Sequence, residues 1–321
     1  MRITRRGFTL IELLLVIAII SLLVSIVLPS LAEVRRNARG TISFSNLRQL
    51  GMAMLAYGNE NKEQWLFPWN ERPSPPAATW EWYSAQQRRG TQVVYWDFGD
   101  AGRETEMFAA HWASWMMHYI SPGQLANPIQ FSPMDTAVKL RFDQDVSQYP
   151  LDDVIWDGSY WYSPTMWFAP SRYATNFAVP QAPNRTLLRR NKNSDVTFPS
   201  SKVVLWERFD FTKKSRRAPG NVGRINQIPQ WNHPEAQPRF WCADGSATQV
   251  STAKLAELAS STDTATQKLW SPLGTWAMPT SILATYSIQN DGLENGQNGT
   301  GQYPAYFWAT RNGVQGRDVP R

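Results

Sequence analysis

Cysteine is almost missing from this chain, with Cys242 the one example in 321 residues. That excludes an internal disulfide framework and any cluster of cysteine metal ligands. Cys242 is left to serve as a small buried apolar side chain. Histidine is nearly as scarce, with His111, His118 and His233. His111 and His118 lie seven residues apart, whereas a helical metal pair uses i, i+4 spacing, so both read as polar residues beside aromatic packing. No phosphate-binding glycine loop, no zinc-binding spacing and no G-x-S-x-G nucleophile motif occurs. A dominant charge is lacking too. The formal net charge is +6, and Arg2, Arg5 and Arg6 supply half of it. The balance is too mild and too scattered to point to nucleic acid.

Aromatic and apolar residues fill the space left by these shortages. Hydrophobic residues make up 42% of the chain and charged ones 18%, enough for a sizeable core in one or two domains. Sixteen tryptophans fall partly in clusters: Trp65 and Trp69, Trp80 and Trp82, Trp112 and Trp115, then Trp156, Trp161 and Trp167. They can form either a core of large side chains or an aromatic surface for sugars or neighbouring subunits. The core is the simpler reading.

The longest apolar run covers residues 10–28, in which Glu12 is the only ionisable side chain. Nineteen residues give roughly 28 Å of helix, enough for a bilayer core. A carboxylate in such a segment costs about 2.5–3.5 kcal/mol. No Lys or Arg lies within the run to offset it, so its partner has to come from another place or another chain. Arginines flank both ends: Arg2, Arg5 and Arg6 before, Arg35, Arg36 and Arg39 after. The positive-inside count is therefore close to a tie.

The stretch Arg6-Gly7-Phe8-Thr9-Leu10-Ile11-Glu12 and the apolar helix behind it resemble the class III signal of type IV pilins and type II secretion pseudopilins. The resemblance implies cleavage after Gly7 by a prepilin peptidase that also methylates the new N-terminus at Phe8. Glu12 would then be the fifth mature residue and would act in assembly with other pilin-like subunits. Pro29 falls where many pilins carry a proline. The implied location is the inner membrane, single-pass and in contact with its lipid, with the leader cytoplasmic and the head in the periplasm or on the cell surface. A plain uncleaved anchor is one rival, and a cleaved secretory signal is the other, since Ser30-Leu31-Ala32 satisfies a small-x-small rule. Against the secretory signal, an h-region of about 7–15 residues does not usually run to this length or carry a glutamate.

Beyond Pro29 an apolar stripe continues through Leu31, Val34, Ala38, Ile42, Leu47, Leu50, Met54 and Tyr57 at helical spacing. One helix is expected over residues 8–57, kinked at Pro29 and stopped at Gly58-Asn59. Its second half resembles that of G-class pseudopilins and their large relatives. The organisation expected is a leader (1–7), a transmembrane helix (8–29), an amphipathic half-helix (30–58) and a globular head (59–321). The fold class is α+β, a long N-terminal helix packed on an antiparallel sheet with aromatic-rich insertions.

In the head, residues 65–102 read as an irregular proline-rich loop with a strand at 92–98, and residues 105–120 as a helix. Phe131-Ser132-Pro133-Met134-Asp135 resembles a step that usually reads Cys-Pro-x-Asp in the large planctomycete-type prepilin-like family, with Ser132 in place of the cysteine. Residues 159–162 and 172–174 are aromatic strand or loop candidates. Residues 198–207 read as a strand entering the core after a Pro-Ser turn. The basic run Lys213, Lys214, Arg216 and Arg217 reads as a hairpin tip.

Phe240-Trp241-Cys242-Ala243, then Asp244-Gly245, then Ala247, Gln249 and Val250 read as a hairpin of the I′ kind. With His233 this resembles the H-x9-DG element of prepilin-like proteins, although ten residues separate His233 from Asp244 here. A structural hairpin, with His233 bonding the turn, is preferred to a catalytic His/Asp pair. A short helix follows at 253–259. The tail 290–299 is rich in glycine and amides, and Asp291 and Glu294 could supply oxygens to Ca²⁺, as a C-terminal loop does in G-class pseudopilins. A plain loop without cofactor is the simpler expectation. The reading is a non-enzymatic structural subunit, and the alternative is a membrane-tethered periplasmic carbohydrate-binding protein or hydrolase.

Overall fold

A computed structural model describes residues 9–67, 70–71, 80–81, 87–89, 92–94, 108–116, 120, 128–148, 156–173, 185–213, 228–260 and 304–320. The first helix, α1 (Leu10–Glu60), is set by a capping box. Thr9 Oγ1 accepts the Glu12 N–H at 3.3 Å, and Glu12 Oε2 accepts the Thr9 N–H at 2.9 Å. The helix is assigned unbroken through Pro29, whose ring removes the N–H that would reach the Ser25 carbonyl.

The helix ends three residues later than its apolar stripe suggests. Gly58 stays helical and buried, and its carbonyl accepts from Asn61 N–H at 3.1 Å and Glu63 N–H at 2.8 Å. Lys62 and Glu63 then take positive φ angles of 58° and 62°, which turns the chain away from the helix axis.

Two short antiparallel hairpins follow, β1 (Asn70–Glu71) with β2 (Trp80–Glu81) and β3 (Gln87–Arg89) with β4 (Gln92–Val94). The second helix, α2, is Phe108–Trp115, inside the span expected for it. A third helix, α3 (Thr136–Gln148), has no counterpart among the sequence expectations. Its signals are nonetheless ordinary ones: Asp135 Oδ1 accepts the Val138 N–H at 3.4 Å, and Val138, Phe142 and Val146 recur every four residues. Arg172 and Tyr173, from the strand or loop candidate 172–174, lie in a 3-10 turn, Pro170–Tyr173.

The head is organised by one antiparallel sheet in the order β5 (Tyr160–Tyr162), β6 (Val203–Glu207), β7 (Arg239–Cys242), β8 (Ala247–Gln249). Every residue of β5, β6 and β7 is buried, so both faces are covered. One face is formed by Tyr162, Leu205, Trp241 and Ala247, which are register partners across the four strands. It meets α1 through Leu47, Leu50, Gly51 and Met54. The alternate positions, Trp161, Trp206 and Phe240, form the other face. There Trp231, Phe307 and Trp308 complete an aromatic layer, with ring centroids 5.1 Å apart for Trp161–Trp231 and 5.7 Å for Trp206–Phe307. The helix α2 closes the β5 edge, where Trp112 Nε1 donates to the Tyr160 carbonyl at 2.8 Å.

The core reading holds for the nine tryptophans whose burial is described. Trp65, Trp112, Trp156, Trp161, Trp167, Trp206, Trp231, Trp241 and Trp308 are all buried. Each such side chain removes about 150–250 Å² from water, an upper-bound gain of about 4–6 kcal/mol before conformational entropy.

The β7–β8 connection is a hairpin as expected, but its turn is not of the I′ kind. Only Gly245 has positive φ, at 89°, whereas I′ needs it at both central residues. The Gly245 N–H donates to the Cys242 carbonyl at 2.9 Å and Cys242 N–H to the Ser246 carbonyl at 2.8 Å. This makes a three-residue loop with glycine in the left-handed position, the geometry that lets Asp244 keep an ordinary φ. The fourth helix, α4 (Thr252–Ser260), follows directly.

Candidate assembly segment and its junction with the head

The amino-terminal half of α1 is an exposed apolar rod. Leu10, Ile11, Leu22 and Ile26 are each more than 60% exposed, and the first buried residue of the helix is Gly40. It is the one helix among the described residues long and apolar enough to cross a membrane. Glu12 sits in its first turn. Its Oε2 is held by the Thr9 N–H and by Thr9 Oγ1 at 2.8 Å, while Oε1 has no hydrogen-bond partner among the described residues. The carboxylate is therefore anchored at the helix start with one oxygen still available. Gly7 and Phe8 lie outside the described residues; cleavage between them would leave a single residue ahead of the Thr9 cap.

At the other end of α1, the helix is fastened to the head by a buried polar seam. Ser43 Oγ donates to Glu207 Oε1 at 3.0 Å and lies 3.0 Å from the Tyr160 hydroxyl. Ser132 Oγ donates to the same Glu207 oxygen at 2.6 Å, and Arg239 Nη1 donates to Glu207 Oε2 at 2.8 Å. Asn46 Nδ2 reaches the Phe131 carbonyl at 3.1 Å, so α1 also grips the loop that carries Ser132. Next to this, Arg208 holds Asp135 through Nε at 3.0 Å. Burial pushes the Glu207 carboxyl above its usual range, against the pull of Arg239 and the two serines. Burial and the Glu207 charge together raise the Tyr160 phenol.

A second buried pair ties down the C-terminal segment. Lys202 Nζ is 2.9 Å from Asp318 Oδ2 and 3.0 Å from Thr310 Oγ1, and Val203 N–H donates to the same Asp318 oxygen at 2.8 Å. Burial pulls the Lys202 ammonium below its usual value, with Asp318 acting in the other direction. Such pairs hold a fixed geometry, and breaking one partner is costlier than removing both.

The residues singled out from sequence fall in different places. Glu12 is in the exposed first turn, and Pro29 is exposed in mid-helix. His233 is buried, and its Nδ1 accepts the Glu235 N–H at 3.2 Å. The Asp244 carboxylate accepts from Ser246 N–H at 2.9 Å and from its hydroxyl at 2.5 Å. Asp291 and Glu294 lie outside the described residues, as do His118 and most of the basic run after Lys213. Sequence reasoning did not identify the seam formed by Ser43, Ser132, Glu207 and Arg239. Its one local signal is a charge at each end of the inner strand β6, Lys202 before it and Glu207 as its last residue.

No curated protein and no solved structure matches this chain. Residues 2–28 match the family model described as Prokaryotic N-terminal methylation motif, which supports a prepilin-like, type IV pilin signal ahead of the membrane-length helix.

Proposed function

We propose that the chain is a structural subunit of a type II secretion pseudopilus or a type IV pilus-like filament, cut after Gly7 by a prepilin peptidase and N-methylated at Phe8. The observation that carries this is the methylation motif running without interruption into an exposed apolar helix with a lone carboxylate in its first turn. The head stands outside the inner membrane, in the periplasm or on the cell surface. The resemblance to large planctomycete-type prepilin-like proteins and G-class pseudopilins supports a minor or enlarged subunit rather than a small major one.

The role is assembly rather than catalysis. In the membrane, the Glu12 carboxylate would meet the Phe8 amine of a neighbouring copy. Pairing offsets the desolvation of both charges and repeats head-to-tail along a helical filament. The capping box favours this by fixing the carboxylate at the helix start. The rival sugar-binding or hydrolase role rested on an aromatic cleft, and the nine tryptophans whose burial is described lie in the core instead.

The test is Glu12→Leu expressed beside the wild type. The expected variant is membrane-inserted and folded but absent from filaments sheared from cells. Incorporation at the wild-type level would remove the role given to Glu12.

A further inference from the structure

Three arginines stand just beyond the apolar rod and before the head begins. Arg35 and Arg39 are exposed, Arg36 is half-buried, and none of them has an ion pair or hydrogen bond with a described residue. Between Leu28 and Glu60 the only acidic residue is Glu33.

Helix geometry gathers the three on one side. At about 100° per residue and with Arg35 as zero, Arg39 lies at about 40° and Arg36 at about 100°. The residues that dock the head fall in the same sector: Leu50 at about 60°, Ser43 at about 80°, Met54 at about 100° and Leu47 at about 120°. The arginines thus occupy the head-facing side of α1 in the turns below Gly40, in the gap between the apolar rod and the head. Among the described residues, the carboxylate of the seam above them, Glu207, is already taken by Arg239, whose guanidinium lies against Gly40.

The height of the gap is set by the rod itself. Arg35 is seven residues beyond Leu28, about 10 Å, and Arg39 is eleven beyond, about 16 Å. Headgroups occupy the first ~5–8 Å outside the hydrocarbon core, and an arginine stem reaches several ångströms down toward them. We infer that Arg35, Arg36 and Arg39 form a binding site for the phosphate of an anionic phospholipid, held under the head on the outer side of the membrane. Guanidinium suits this ligand because it takes phosphate oxygens in pairs. The inference rests on the proposal that α1 spans the membrane.

The experiment uses the full chain in nanodiscs of phosphatidylcholine containing about one-fifth phosphatidylglycerol, with the lipids retained after detergent extraction counted by mass spectrometry. Each arginine near an anionic surface is worth about fivefold in binding. The retained phosphatidylglycerol-to-phosphatidylcholine ratio should therefore be at least about tenfold above the bulk ratio, less so at high salt. R35Q/R36Q/R39Q should return it to about the bulk ratio, with tryptophan fluorescence unchanged because none of the three has an ion pair or hydrogen bond with a described residue. R48Q is the control. Arg48 is exposed on the same helix but lies about 220° round and about 30 Å above Leu28, so its loss should leave retention as in the wild type. Undiminished retention in the triple variant, or an R48Q effect of equal size, overturns the site. A triple variant that keeps lipid selectivity but loses self-association also overturns it, and assigns the arginines to a second copy of the chain. Wild-type protein that fails to insert into pure phosphatidylcholine discs contradicts the spanning helix itself. Insertion without lipid preference contradicts the arginine site alone.

Discussion

Gly51 and Gly58 lie two turns apart on α1, and the same Gly→Ala change should have opposite signs at the two positions. A Cβ at Gly51 would fall 2.2 Å from Trp241 Cε2, 2.4 Å from Cδ2 and 2.5 Å from Nε1, where ordinary contact begins at 3.4 Å. The indole would have to retreat by about 1.2 Å. It is fully buried, and its backbone pairs with Leu205 on one side and Ala247 on the other. The strain therefore falls on the α1–sheet contact, at an overpacking cost of about 1–3 kcal/mol. Against this stands the helix preference for alanine over glycine, about 0.8–1.0 kcal/mol.

At Gly58 the nearest atoms to a new Cβ are the Gln64 carbonyl oxygen at 3.5 Å and Asn193 Nδ2 at 3.6 Å, both ordinary contacts. Only the backbone gain remains there, so Gly58→Ala should stabilise by about 0.4–1 kcal/mol. The backbone contribution is nearly common to both variants. Their difference isolates the overpacking, about 1–3 kcal/mol, or several degrees in Tm at about 2–4 °C per kcal/mol. Thermal unfolding of the full chain in detergent, followed by tryptophan fluorescence, reads this directly. A Gly51→Ala Tm equal to or above that of Gly58→Ala would mean that α1 does not lie on Trp241.

Two further predictions concern the seam. Glu207→Ala alone should cost about 3–5 kcal/mol because it strands Arg239 in the core, whereas E207M/R239M should cost far less or be neutral; urea unfolding of the two variants checks the non-additivity. The carboxyl of Glu207 is raised by burial. Its contribution to stability is therefore complete below the unfolded value of 4.5 and is lost as pH rises through the higher folded value. The Tm of the wild type relative to Glu207→Gln should accordingly fall as pH rises from about 4 toward neutrality, and a flat difference would contradict the burial argument.

What could be read from the sequence depended on how local the cause was. The start of α1 was legible because Thr9 and Glu12 are three residues apart and the apolar run needs no tertiary partner to be noticed. Strand β6 and the β7–β8 hairpin were legible for the same reason, as apolar runs beside turn residues. The turn type was misread because Asp-Gly serves both a two-residue I′ turn and a three-residue loop, and only the backbone angles separate them. The end of α1 was placed early because Gly58, a plausible stop, is held helical by its contacts with the loop after it. The seam was invisible because its partners are remote: Ser43 is 164 residues from Glu207, and Ser132 is 75. Nor did anything local show that Phe307 and Trp308 return to cover Trp206.

The most direct test of the account is the N-terminal peptide of the full chain recovered from membranes of cells that carry the prepilin peptidase. Mass spectrometry should find it beginning at N-methylated Phe8, with residues 1–7 gone. An N-terminus at Glu33 would convert the apolar run into a cleaved secretory signal, and one at Met1 would leave a plain anchor. Either result would contradict assembly through Glu12.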